Sequence, residues 1–120
     1  MAALRWLKDA VPDQFAEMLK HRVRSVARPI NRRRYRGDAR YCPVCQSHVS
    51  QFVSAGIARR PDARCPICGS LERHRLLWVY LSEHSDLFDG RRKRLLHVSP
   101  EQQLAGRIRR DPHIVYLSGD

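Results

Sequence analysis

An α/β fold with a small metal-binding module ahead of it follows from three features of this sequence. Cys42, Cys45, Cys65 and Cys68 stand as two pairs with the spacing C-x2-C-x19-C-x2-C. A helix-patterned apolar run follows the second pair directly. The C-terminal part then reads as a short apolar run, a helix start and a second apolar run, in strand, helix, strand order. The 120 residues divide accordingly into a basic segment (1–40), a four-cysteine module (41–70), a connecting helix (71–93) and the start of a parallel α/β unit (94–120).

The front segment is defined by charge. The chain carries 23 Lys and Arg against 12 Asp and Glu, a net of +11, and 20 of the 23 cations are arginine. Residues 1–40 hold 11 of the cations and four of the anions, a net of +7. Phe15, Met18, Leu19, Val23 and Val26 recur at helical spacing with Lys20, Arg22 and Arg24 on other faces, which predicts a basic amphipathic helix ended by Pro29. The following "NRRRYRGDARY" reads as an exposed linker with the arginine and tyrosine mix that grips phosphates and bases. RNA or DNA is the partner this region would take, although an arginine-rich codon preference gives the same composition. No stretch reaches the roughly 18–20 apolar residues of a membrane span, and no secretory signal is recognisable, so a cytoplasmic protein is expected.

In a reducing compartment two paired cysteine clusters favour a metal. Each two-residue gap lets one turn aim both thiolates at a single ion, and Zn²⁺ takes four sulfurs tetrahedrally with no open position, so the implied zinc is structural. Disulfides and a redox CxxC are the alternatives, the second of which needs only one pair. Pro43 and Pro66 stiffen the knuckles, and Gly69 supplies a left-handed position after the second. Phe52, Val53 and Ile57 predict short strands between the pairs, with Gly56 and "RRPDAR" as turns. His48 reads as a surface residue and His74 as a hydrogen-bonding partner for a neighbour.

Ser70 is the expected cap of the connecting helix, which would run from about Leu71 to His84 and bury Leu71, Leu76, Leu77, Val79, Tyr80 and Leu81. Glu72, Arg73 and Arg75 would form ion pairs across to the cysteine module. "SDLFDG" closes the helix. Leu95–Val98 predicts a buried strand, Ser99 and Pro100 a helix cap and first position with Gln102 three residues after the cap, and "HIVYLS" a second strand.

Together, "YCPVCQSHVSQFVSAGIARRPDARCPICGSLERHRLLWVYLSEHSDLF" and "KRLLHVSPEQQLAGRIRRDPHIVYLSGD" resemble the N-terminal part of bacterial class I S-adenosylmethionine-dependent methyltransferases that carry a zinc ribbon. "RCPICGSLERHRLLW" is the most specific segment. The resemblance covers roughly residues 41–120 and implies an incomplete Rossmann-like strand-helix-strand unit. It implies S-adenosylmethionine as cofactor, with Glu101 near it at the end of the first strand and Asp120 as the acid that binds the ribose hydroxyls. The glycine-rich loop usual after that strand is absent, and Gly106 lies too far into the helix to replace it. With two strands for the sheet, a fragment is expected that does not turn over alone and carries no catalytic residue of its own. The methyl acceptor is not implied. A zinc-ribbon module that binds nucleic acid is the other reading.

Overall fold

The computed structural model describes residue 18, residue 22 and residues 27–119. The expectations that rest on residues 1–26 and on Asp120 otherwise lie outside the described residues.

Residues 27–34 are helical, so Pro29 does not end the helix, and the first four residues of the expected linker, 31–34, are helix. Asn31 and Tyr35 turn toward the cysteine module: the Asn31 side-chain amide donates to the Pro66 carbonyl (2.9 Å), and Ser50 N–H donates to Tyr35 O (2.8 Å).

Two antiparallel hairpins follow. β1 (Arg40–Cys42) pairs with β2 (Ser47–Val49) around the first knuckle, and β3 (Val53–Ala55) pairs with β4 (Arg60–Arg64). "RPDAR", expected as a turn, is therefore a strand. Its partner is Val53–Ala55, and an irregular register between Val53 and Ala55 accommodates Pro61 and the left-handed Asp62. Pro has no N–H for a ladder and is tolerated at such an edge. Gly56, with φ +84°, makes the hairpin turn.

α1 (Glu72–Glu83) starts one residue after its N-cap, Leu71. Its buried side chains are His74 and Trp78, with Leu81 partly buried one turn on. These positions mark the i, i+4, i+7 stripe of a helix covered on one side. Leu76, Leu77 and Tyr80, expected inside, are exposed, Leu76 by 73%. The wide buried face is thus corrected to a narrow one.

β5 (Lys93–Val98) and β6 (Ile114–Gly119) lie parallel and in register from Lys93↔Ile114 to Val98↔Gly119, joined by α2 (Gln102–Ile108). The α2 N-cap is Glu101, two residues beyond the expected Ser99, because Ser99 takes φ +47° and Pro100 precedes the first helical turn. Leu95, Tyr116 and Ile114 share the face that packs on Leu104 and Ile108. The opposite face carries Leu96, Val98, Val115 and Leu117, exposed to solvent, Leu96 and Val98 by 64%. The buried strand expected at Leu95–Val98 is accordingly covered on one face only.

One core runs through both parts of this mixed α/β arrangement. Cys42, Val44, Val49, Cys65 and Ile67 from the cysteine module are continuous with Trp78, Leu87, Leu104, Ile108 and Ile114. Polar latches reinforce it. Arg107 Nη1 donates to Val44 O (2.8 Å) while its guanidinium lies 4.7 Å over the Trp78 ring. Arg75 donates to Ser70 O (2.7 Å) and Ala63 O (2.9 Å) and stacks on Phe52. Of the expected ion pairs, Glu72 meets Arg60 at the surface (3.3 Å), whereas Arg75 serves backbone carbonyls instead.

Candidate metal centre and strand-end cluster

The four cysteine sulfurs converge. All lie within 4.8 Å of one another, and two of the separations, Cys42 to Cys68 and Cys45 to Cys65, are 3.7 Å. A tetrahedron of sulfurs at about 2.3 Å from a central zinc has edges of about 3.8 Å, so the donors fit that ion. A disulfide needs about 2.05 Å between sulfurs, and each cysteine is a free thiol. The convergence is local in origin. Cys42 and Cys45 bracket the β1–β2 turn, and Cys65 and Cys68 close a second turn through the Gly69 N–H bond to Cys65 O (2.9 Å). Gly69 adopts φ +77°, where a side chain is strained.

Ser70 is fully buried beneath this cluster, its hydroxyl 3.2 Å from the sulfurs of both Cys42 and Cys68. It does not cap α1. The Leu71 N–H instead donates to Nδ1 of His74 (3.1 Å), the only such contact from a side chain at the α1 N-terminus among the described residues. Sequence alone did not separate these roles for Ser70, since a serine before a helix is also what a cap looks like. Hydrogen bonds from Cys45, Cys65 and Cys68 pull the Cys42 thiol far below its ordinary value, and Cys42 and Cys45 push the Cys65 thiol up. Cys42 raises the Cys45 thiol, but Cys65 and Cys68 outweigh this and lower it to about 6, so the cluster favours thiolates at the first knuckle. A bound cation would extend this to all four.

A second polar group lies at the carboxyl end of β5. Glu101 Oε2 is 3.2 Å from His97 Nε2, and His97 Nδ1 is 2.9 Å from the Tyr116 hydroxyl across the strand pair. Burial raises the Glu101 carboxyl pKa, but its own backbone N–H and the His97 imidazole outweigh this, and the group titrates below its ordinary value. The Ser99 N–H donates to Gly119 O (2.8 Å), which brings the loop before Glu101 against the end of β6. Asp120 lies outside the described residues, so Glu101 alone of the two expected cofactor contacts has a described position. His97 and Tyr116 were not singled out from sequence, where they read as strand residues.

His74 is buried, and its Nε2 has no hydrogen-bond partner. Because Nδ1 accepts from Leu71, the neutral ring carries its proton on the unpartnered Nε2. Burial lowers its pKa, with Arg73 and Arg75 adding and Glu101 opposing. His48 is exposed beside Tyr41.

No helix among the described residues is long and apolar enough to cross a membrane. Comparisons with protein-family models, curated proteins and solved structures return no match.

Proposed function

We propose that the chain combines a structural zinc ribbon with the opening strand-helix-strand unit of a Rossmann-like, S-adenosylmethionine-dependent methyltransferase fold, in a cytoplasmic protein. The observation that carries the proposal is the parallel, in-register β5–β6 pair crossed by α2, with Glu101 at the carboxyl end of its first strand. In open α/β sheets ligands sit outside the carboxyl ends of the strands, beside the helix N-terminus that follows. The four-cysteine geometry supports a closed, structural zinc ion, whose part is to hold the ribbon against this unit. The proposal assigns cofactor contact to this strand end.

Titration of the zinc-loaded, ¹⁵N-labelled protein with S-adenosylmethionine tests it. Amide shifts confined to residues 98–102 and 118–120, weakened about tenfold in affinity by Glu101→Gln, are expected. No response to S-adenosylmethionine or S-adenosylhomocysteine at millimolar concentration refutes the cofactor reading.

A second reading concerns the basic region. Arg28, Arg32, Arg33, Arg34 and Arg36 are exposed, and no carboxylate pairs with them among the described residues. This favours a nucleic-acid partner, because exposed surface cations can replace the counterions of a phosphate backbone.

A further inference from the structure

We propose that the cleft between residues 32–36 and the first cysteine knuckle binds single-stranded nucleic acid, with Arg32 and Arg36 on phosphates and the Tyr41–His48 pair as a base-stacking platform. This rests on the nucleic-acid reading above and gives it a site. The cleft, of about 280 Å³, is lined by Arg32, Arg36, Gln46, Ser47, His48 and Ile67. It therefore joins the helical segment to the metal-held hairpin.

Arg28, Arg32 and Arg36 recur every four residues. Arg28 and Arg32 fall one turn apart on one side of the helical segment, and Arg36 lies just past its end. Like charges at that spacing repel, so a helix bearing them gains when an anion lies along it. The carboxylates that form ion pairs with arginine or lysine elsewhere are taken: Asp62 by Arg40, Glu72 by Arg60, and Asp89 by Arg91 and Lys93. A polyanion from outside would relieve that repulsion along the stripe.

The second observation is aromatic. Tyr41 and His48 are register partners across β1 and β2, with ring centroids 4.8 Å apart, and Tyr41 is 49% exposed. His48 lines the cleft with Arg32 and Arg36, and Tyr41 packs on His48, so the pair offers a base a π-face and its phosphate a cation, the combination that binds single strands without strong sequence preference. Paired bases keep their faces covered by neighbours in the stack, so a single strand fits and a duplex does not. Gln46 and Ser47 add polar edges where an acidic membrane surface would call for apolar residues to insert.

The test is fluorescence anisotropy of the zinc-loaded chain with a labelled single-stranded RNA of about 12 nucleotides, alongside the matching duplex and phosphatidylserine vesicles. Binding is expected to weaken about 5- to 100-fold in Tyr41→Ala and to be retained in Tyr41→Trp. The double variant Arg32→Gln/Arg36→Gln is expected to reduce the slope of log affinity against log salt by about 1.4. Zinc content, measured on every variant, shows that the hairpin is intact. Oligonucleotide binding that neither set of variants alters overturns the cleft while leaving the nucleic-acid reading standing. Absence of binding to any oligonucleotide overturns both. Equal affinity for the duplex, or tighter binding to the vesicles, overturns the single-strand assignment.

Discussion

Replacing Arg107 with alanine removes the hydrogen bond from α2 to the Val44 carbonyl, 63 residues away in sequence, together with the guanidinium face on Trp78. A hydrogen bond to a charged donor contributes roughly 1.5–3 kcal/mol, and a cation–π contact about 0.5–2 kcal/mol depending on desolvation. Arg107 is half-buried, which favours the lower part of both ranges and gives about 2–3 kcal/mol. For a domain of about 100 residues that lowers Tm by on the order of 10 °C. The assay is thermal unfolding of the zinc-loaded protein by circular dichroism. Arg109→Ala is the control, since it also removes one cation from the same end of α2 but takes away only a surface contact with Tyr116, 4.6 Å from its ring centroid. Arg107→Lys should fall between, having one ammonium and no planar face. An Arg107→Ala protein that melts within about 2 °C of the wild type, or no lower than Arg109→Ala, refutes the claim that this latch joins the cysteine module to the sheet unit.

Two further predictions concern buried polar groups. Ser70→Ala should weaken zinc about 10-fold in chelator competition and alter the charge-transfer bands of the cobalt-substituted protein, because outer partners of metal ligands tune them by that order; unchanged affinity and spectrum would remove Ser70 from the site. His74 is held below its ordinary pKa, so the unfolded chain binds the proton more readily, and the stability His74 lends is complete above about pH 6.5 and lost as pH falls below it. The decline in Tm from pH 7.5 to 5.5 should therefore be shallower in His74→Gln than in the wild type, and equal slopes in the two proteins count against a buried neutral imidazole.

What was legible in the sequence is what local geometry dictates. The C-x2-C spacing sets two sulfurs on one turn whatever surrounds it, and the apolar runs at Leu95–Val98 and Ile114–Ser118 led to the β5–α2–β6 order. What was not legible depended on partners distant in the chain. "RPDAR" looks like a turn until Val53–Ala55 is seen beside it. The apolar residues of α1 do not reveal which side is covered: Leu76 and Tyr80 face solvent, and the inward stripe begins with a histidine whose ring closes the helix start. The ion pairs expected from Arg75 gave way to carbonyls because β4 presents Ala63 O, and the chain just past the second knuckle presents Ser70 O, to it.

Those carbonyl contacts decide what a metal bound by the cysteines would do for the rest of the molecule. Ser70 touches two cluster sulfurs through its hydroxyl and Arg75 through its carbonyl, so one residue links the cysteine cluster to the first turns of α1. Val44, within the first knuckle, accepts from Arg107 at the other end of the same core. A knuckle that loses its ion is free to open, and both anchors then lose the geometry that fixes them. Zinc removal should accordingly loosen α1 and α2 along with the hairpins, so amide exchange in Trp78, Leu104 and Ile108 ought to accelerate with chelation. If exchange at those three amides stayed at its zinc-loaded rate while the hairpins opened, the ribbon would be a separate body and the latches would not transmit.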